Sequence, residues 1–177
     1  MTRRTRLAAL GGIVGPAVFI TAWSVLGART KHYSPVRDHI SRLAAVGAST
    51  RPEMTAAFVT FAAGLALYAV AARDELSPRV GALAAVNAVS TLGVAAFPLE
   101  GFGGSMGHAT AASIGYVTLA AMPCFSGRRE GRALTVAIAV PLLLSALGGS
   151  RTGLLQRTGL TIGDVWIVTT AWRMLRK

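Results

Sequence analysis

Three separate segments of this sequence carry side chains that could perform acid–base chemistry or bind an anion. Asp38, Glu100 and His108 are candidate catalytic residues, because carboxylates and imidazoles can accept a proton and return it. Guanidinium groups hold phosphates and carboxylates through paired hydrogen bonds, so nearby arginines are candidates for binding an anion. The candidate ligand-binding residues are Arg37, Ser41, Arg42, Asn87, Gln156, Arg157 and Asp164. A shared site requires these side chains to converge in one outer-facing pocket, and the sequence alone does not decide whether they do.

Two polar stripes interrupt otherwise apolar stretches. Arg157, Thr161 and Asp164 are spaced four and then three residues apart, so they share one face of a helix. The second stripe consists of Asn87, Ser90 and Thr91. Two stripes that face each other would line a hydrated seam between helices. Two alternatives stay open: Arg157 and Asp164 satisfy one another or neighbouring backbone and so hold helices in register, and the second stripe serves only interhelical hydrogen bonding.

Long apolar runs must position these residues. Five stretches of 18 to 21 residues contain no charged side chain: 7–27, 54–72, 80–99, 109–127 and 133–150. A helix rises about 1.5 Å per residue, so roughly 20 residues cross the ~30 Å hydrocarbon core of a bilayer. A sixth run, 152–172, carries ionisable groups that could face its neighbours in a bundle. The predicted fold is all-α, with residues 1–177 forming one integral-membrane domain of six transmembrane helices.

Capping signals support the predicted boundaries. Ser77 followed by Pro78 supplies an N-cap and a first-turn proline for the third span. Ser105 precedes the fourth span and can cap it. Thr50 and Glu53 have the spacing of a capping box ahead of the second span.

Gly11 and Gly15 form a small-xxx-small pair in the first span. Such a pair lets the backbone of another helix approach closely. We expect it to mark a packing face within the bundle rather than a dimer contact.

The first outer connection, 28–52, is too long to be a simple turn. Ser34 and Pro35 open a stretch in which Val36, Ile40 and Leu43 recur at helical spacing, with polar residues largely on the other faces. Gly47 ends the run. This pattern predicts a short amphipathic helix that lies at the membrane surface between spans one and two.

Composition excludes several classes of protein. Apolar residues make up 53% of the chain and charged residues 14%, as in membrane proteins. The net charge of +11 comes from residues in and near the short connections, so we expect no nucleic-acid partner. One cysteine, Cys124, cannot form an internal disulfide, and three histidines are too few and poorly spaced for a metal or haem site. The sequence predicts no metal and no cofactor.

The distribution of basic residues predicts the orientation. Eleven Lys and Arg residues fall on the side of the two termini and seven on the opposite side. Because basic residues accumulate on the cytoplasmic side, both termini are expected in the cytoplasm. The predicted location is the inner (plasma) membrane, crossed several times.

At these same residues the sequence resembles a family of bacterial and archaeal six-span proteins known as domain of unknown function 998. The likeness covers nearly the whole chain and lies in the order and spacing of its motifs. These are Ser34 to Ser41 (SPVRDHIS), Phe97 to Glu100 (FPLE), His108, Gly153 to Arg157 (GLLQR) and Trp166. Arg42 departs from the family pattern, in which an acidic residue is expected after the serine. The resemblance implies a membrane location and six helices, and no established activity.

Two kinds of function fit the sequence, and it does not decide whether the protein is an enzyme. The first is a site near the outer leaflet for an anionic lipid headgroup or similar amphiphile, with hydrolase or transferase chemistry as an extension. The second is non-enzymatic: a small transporter, or a helper that assembles other membrane proteins. The expected partners are membrane lipids in the first case and substrates or other membrane proteins in the second.

Overall fold

The computed structural model describes residues 3–100 and 105–177, whose regular structure is helical. Six α-helices follow one another, and two short 3₁₀ helices, Ile40–Ala44 and Met122–Ser126, lie between them. The second 3₁₀ helix continues α4 directly. The α-helices are α1 (Arg3–Arg29), α2 (Arg51–Glu75), α3 (Pro78–Ala96), α4 (Met106–Ala121), α5 (Gly131–Ala146) and α6 (Thr152–Leu175).

The six helices form a closed ring. Each helix packs against its neighbours along the chain, and α6 packs back against α1. The contact of α4 with α5 is less extensive than its contact with α3. We call the end that carries both chain termini the terminal end; there Lys177 Nζ donates to Glu75 Oε2 at 2.9 Å. The opposite end, which carries segment 30–50 and the connections after α3 and α5, is the loop end.

The exterior of the ring is apolar. Large hydrophobic side chains such as Val89, Val117 and Leu143 are more than 60% exposed. Four helical stretches are long and apolar enough to cross a membrane: α1, α2, α3 and the combined Met106–Ser126. α5 is apolar but only 16 residues long, and α6 is long but less apolar. A helical bundle with such a surface is typical of a membrane protein.

Glycines bring the backbones of α1 and α2 into direct contact. A Cβ atom on Gly64 would lie 2.7 Å from Gly11 O and 2.9 Å from Gly15 Cα. Both neighbours are main-chain atoms that cannot rotate away. The pair in α1 therefore packs within the bundle, as the sequence predicts.

Two of the three predicted caps are confirmed. Ser77 Oγ accepts from Val80 N at 3.2 Å, and Ser105 Oγ accepts from His108 N at 3.1 Å. The capping box on Thr50 is wrong, because the Thr50 hydroxyl donates to the carbonyl of Leu43 at 2.8 Å instead. That bond ties the 3₁₀ helix Ile40–Ala44 to the start of α2.

Helices α3 and α5 end earlier than the apolar runs that predict them. α3 stops at Ala96 because the residue before Pro98 is pushed out of the helical region. α5 stops at Ala146, and Gly148 and Gly149 follow with φ of +87° and +119°. Left-handed glycines of this kind commonly follow the C-terminus of a helix.

The connection after α1 differs from the predicted surface helix. Residues 35–38 form turns and Ile40–Ala44 forms a single 3₁₀ helix, with no α-helix between Ser34 and Gly47. Of the three apolar side chains that suggested a membrane-facing stripe, Ile40 and Leu43 are each 1% exposed and lie in the protein core, whereas Val36 is 45% exposed. The segment is thus part of the bundle's packing.

Candidate functional site

A cavity of about 420 Å³ opens at the loop end, and we call it the loop-side cavity. Its walls come from the connection after α1, from the first three turns of α4, and from single residues of α5, α6 and the connection after α3. Six of the predicted site residues line it: Arg37, Asp38, Ser41, Arg42, His108 and Gln156. The side chains of Asp38 and His108, which are 70 residues apart in the chain, therefore face the same space.

A smaller hollow of about 70 Å³, the inner chamber, lies between the helices. Asn87 and Asp164 line it, and so do Ser90 and Thr91. The structure thus brings the polar stripe of α3 and the aspartate of α6 to one space. The two hollows share part of their lining: Ser41, His108, Ala112, Tyr116 and Gln156.

Arg157 fastens the first connection to α6. Its Nη1 lies 2.8 Å from Pro35 O, 2.9 Å from Asp38 O and 3.0 Å from Gly153 O, and its Nη2 donates to the Tyr33 hydroxyl. The guanidinium carbon also lies 5.2 Å from the centre of the Trp23 ring. At 6% exposure this arginine is buried, and its hydrogen bonds hold main-chain carbonyls.

Arg157 consequently lies outside the lining of both hollows, unlike the other predicted anion-binding residues. It forms no ion pair with Asp164, whose carboxyl oxygens have no hydrogen-bond partner among the described residues. The pairing of these two residues with one another is therefore wrong, whereas the alternative that Arg157 satisfies neighbouring backbone agrees with its three carbonyl partners. Although they share a face of α6, one contacts the connection and the other lines the inner chamber.

Asp38 organises the turn that presents the arginines. Its Oδ2 accepts from Ser34 N at 2.7 Å, and its Oδ1 accepts from Arg42 Nη1 at 2.9 Å. The reciprocal bond from Asp38 N to Ser34 O, at 2.8 Å, closes the turn. With both carboxylate oxygens engaged, Asp38 orients Arg42 at the cavity wall.

His108 has the geometry of a proton acceptor. Its Nδ1 lies 2.8 Å from the carbonyl oxygen of Phe97, which can only accept a hydrogen bond. In the neutral ring Nδ1 therefore carries the proton and Nε2 carries the lone pair. Ser105 caps the backbone of the same turn, so two short-range hydrogen bonds fix this histidine where the two hollows meet.

Gln156 connects three elements at that boundary. Its Oε1 accepts from Ile40 N at 2.7 Å, and its Nε2 donates to the Tyr116 hydroxyl at 2.5 Å. A single amide thereby joins the first connection, α4 and α6. The predicted role of Gln156 in ligand binding remains compatible with its place in both linings.

Asn87 joins α3 to α4. Its Nδ2 donates to Gly115 O at 2.7 Å and to Thr118 Oγ1 at 2.9 Å, which is the interhelical role weighed from the sequence. Ser90 and Thr91 both donate to the carbonyl of Asn87. The carbonyl end of the Asn87 side chain is the part left to interact with the inner chamber.

Glu100 is not brought to the site with the other candidates. It is exposed, and it is absent from the lining of both hollows. Leu99 beside it lines the loop-side cavity and accepts a backbone hydrogen bond from Val46 at 2.9 Å. Of the FPLE motif, Leu99 lines the cavity and the carbonyl of Phe97 positions His108.

Two lining residues of the site are missed by reasoning from sequence. Tyr116 follows His108 by eight residues, with Ala112 midway, so helical spacing places all three on one side of α4. That signal could have identified the tyrosine. His39 also lines the loop-side cavity, and no local pattern distinguishes it from a histidine exposed to water.

The environment of His39 predicts a pH dependence of stability. Burial lowers the pKa of His39 below its ordinary value of about 6.5. The charges of His108 and Arg157 lower this pKa further. A hydrogen bond with Ser145 and the charge of Asp38 raise it, but their effect is smaller than the combined lowering. Below pH about 6.5 the unfolded chain binds this proton and the folded protein does not. We expect the unfolding midpoint in detergent to fall as the pH drops below that value, and His39→Gln to weaken the decline. His32→Gln, an exposed residue of the same connection, is the control; equal pH slopes for both variants would contradict the prediction.

Comparison with known proteins identifies the family. No curated protein and no solved structure gives a significant match. Residues 13–173 match the family described as "Protein of unknown function (DUF998)". This match spans most of the chain and includes every predicted site residue. The chain therefore belongs to that family, as the resemblance of its motifs indicates.

Proposed function

We propose that the protein crosses the inner membrane six times and uses the loop-side cavity to bind the anionic headgroup of a membrane lipid or a similar amphiphile at the outer face. The observation that carries the proposal is the convergence of Arg37, Arg42 and His108 on one cavity of about 420 Å³. Side chains from distant parts of the sequence meet there beside the ends of apolar helices.

The burial of the polar side chains of α6 inside the bundle supports six crossings. Gln156, Arg157 and Asp164 are all less than 10% exposed, so the outward surface of this helix is not charged in its central part. Its 24 residues extend about 36 Å, more than the hydrocarbon core requires. α5, at 16 residues or about 24 Å, would need the bilayer to thin locally or its flanking residues to reach the interface.

The orientation rests on the basic residues at the two ends. The terminal end carries eleven Lys and Arg residues and the loop end carries seven. Because basic residues favour the cytoplasmic side, this bias supports cytoplasmic termini and a loop-side cavity that faces outward.

An anionic ligand is supported by the exposed guanidinium groups at the cavity wall. The side chain of Arg42 is 45% exposed and is oriented by Asp38 at 2.9 Å. Arg37 lines the same wall and is exposed as well. Two guanidinium groups on one side of a cavity match the geometry of a phosphate or carboxylate.

An amphiphile is favoured over a free anion by the α4 side of the cavity. Ala109 and Ala112 give that wall a small apolar surface. The less extensive contact between α4 and α5 lies beside it, and Ala146 of α5 also lines the cavity. A headgroup at the arginines would leave room along this seam for the apolar part of the molecule.

His108 supports hydrolase or transferase chemistry as an extension of binding. A neutral ring that donates from Nδ1 to Phe97 O presents the lone pair of Nε2, and it could remove a proton from water or a hydroxyl nucleophile. The arginines would then hold the anion that reacts.

The transporter and helper alternatives have less support. Transport requires the polar path to continue to the terminal end, whereas Tyr68 and Thr170, both buried there, hydrogen-bond to each other at 2.7 Å among apolar side chains. A helper would need a lipid-exposed groove and no enclosed pocket. The loop-side cavity, which is lined by polar side chains from several elements, favours a ligand site instead.

The test measures lipid that remains bound after purification. We expect Arg42→Ala to lower the amount of co-purified anionic lipid about tenfold, since a hydrogen bond to a charged group contributes about 1.5–3 kcal/mol. Mass spectrometry of extracts from the purified protein gives the amount for each lipid class.

Arg51→Ala is the matched control, because Arg51 is an exposed arginine at the loop end outside the cavity lining. It removes the same charge without touching the cavity. Equal loss of lipid from both variants would assign the effect to net charge and refute a specific site. An unchanged lipid profile in Arg42→Ala and His108→Ala would favour the helper role.

A further inference from the structure

Asp164 is the most buried carboxyl group among the described residues of the bundle. It is 1% exposed, and neither carboxyl oxygen has a hydrogen-bond partner in the described part of the chain. It follows Thr152, the first residue of α6, by twelve positions, which places it about 18 Å along the helix axis. This depth corresponds to the middle of a membrane span.

Among the described residues, no lysine or arginine lines the space that Asp164 faces. α4 contributes His108 and Tyr116 as the titratable groups, and α3 contributes Asn87, Ser90 and Thr91, which do not titrate in the ordinary range. The walls from α1 and α2 are phenylalanines, the first connection adds Ile40 and Ser41, and α5 adds no lining residue. On its own helix, Arg157 is held by the connection.

A bare carboxylate is unfavourable in this setting. An unpaired charge at the centre of a bilayer costs several kcal/mol, so the group must be neutralised by a bound cation. A metal ion would need several oxygen ligands, and the chamber lining is mostly apolar. The described residues also contain no group of three His, Cys, Asp or Glu side chains able to hold a metal. A proton needs only one carboxyl oxygen.

We propose that Asp164 is a proton-binding site, loaded from the loop-side cavity through His108. The lining of the two hollows overlaps at His108, Tyr116 and Gln156, so a group at this boundary can exchange protons with both sides. Nε2 of the neutral His108 ring takes a proton from a hydronium ion of the solvent in the loop-side cavity, which becomes water, and the ring becomes an imidazolium. The imidazolium then gives a proton to the Asp164 carboxylate across the chamber and returns to the neutral ring. The carboxylate becomes the neutral acid, and no other reactant is consumed.

Infrared spectroscopy of the full-length protein in lipid nanodiscs tests the loading. We expect a carbonyl stretch of a protonated carboxylic acid at neutral pH, shifted by ¹³C-labelled aspartate and by exchange into D₂O. The chain contains three aspartates, of which Asp38 is in an ion pair and Asp74 is exposed. An isotope-sensitive band at neutral pH therefore reports Asp164 in the unmodified protein, even if an Asp164 variant does not fold.

The variants locate the site and the route. Asp164→Asn should remove the band and Asp74→Asn should keep it. His108→Gln and His108→Leu should leave its amplitude unchanged and slow its exchange into D₂O at least tenfold. Absence of the band in native protein, or its loss on adding NaCl at constant pH, would overturn the proton site. Unchanged exchange in both His108 variants would overturn the route. The readout does not depend on lipid binding, so it can fail or succeed separately from the proposed function.

Discussion

Replacing Arg157 with alanine is expected to release the first connection from α6. The substitution removes the donor that serves the carbonyls of Pro35 and Asp38 and leaves these acceptors without their charged partner. Hydrogen bonds to charged groups contribute about 1.5–3 kcal/mol each, so we expect a loss of about 3 kcal/mol in docking free energy. That loss corresponds to a roughly 100-fold larger population of the undocked connection.

Limited trypsin digestion measures this population, because Arg37 and Arg42 are cleavage sites within the released segment. Cleavage after both residues should accelerate in Arg157→Ala. Arg157→Lys should be cleaved nearly as fast as Arg157→Ala, because one ammonium group cannot reproduce the hydrogen bonds of the planar guanidinium group. The control is Arg151→Ala, an exposed arginine at the start of α6. Identical digestion rates in Arg157→Ala and Arg151→Ala would show that the hydrogen bonds do not hold the segment.

Gly64→Val is expected to separate α1 from α2. The new Cβ would lie 2.7 Å from Gly11 O and 2.9 Å from Gly15 Cα, closer than real Cβ contacts allow, so the helices must move apart. Overpacking of this kind typically costs about 1–3 kcal/mol, and contact with main-chain atoms places the expected loss near the upper limit. The midpoint of unfolding by SDS in mixed micelles provides the measurement.

Ala63→Val is the paired substitution on the adjacent residue, which is exposed on the outer surface of α2. It adds two methyl groups, one fewer carbon than Gly64→Val, where no helix opposes them. We expect its unfolding midpoint to stay close to that of the native protein. Similar midpoints for the two variants would mean that the close approach of the backbones does not limit stability.

The helical architecture could be predicted because a membrane allows few solutions for the backbone. Long uncharged runs imply helices, since every main-chain group in the hydrocarbon region needs a partner within its own segment. Ser77 and Ser105 fixed two helix starts for a similar local reason. Thr50 shows the limit of such local patterns, because its hydroxyl donates to the carbonyl of Leu43, seven residues away, and does not cap the helix.

The site was predictable in composition and less so in the roles of its members. Asp38, Ser41 and His108 were named as candidates from their residue types and positions near the helix ends, and all three line one cavity. A backbone-binding role for Arg157 was one of the alternatives, but its particular partners could not be inferred, because main-chain carbonyls are common to every residue. The buried packing of the 3₁₀ helix was equally hidden, since an apolar stripe does not reveal whether lipid or protein will cover it.

The amide of Gln156 couples the position of the first connection to the interior of the bundle. If the connection lifts away from the bundle, Ile40 N moves with it, and the Gln156 side chain cannot keep both its bond to Ile40 N and its bond to the Tyr116 hydroxyl. Lifting would therefore leave Gln156 Oε1 without its backbone donor at the boundary between the two hollows. One side chain therefore links the position of the first connection to the boundary through which water would reach the inner chamber.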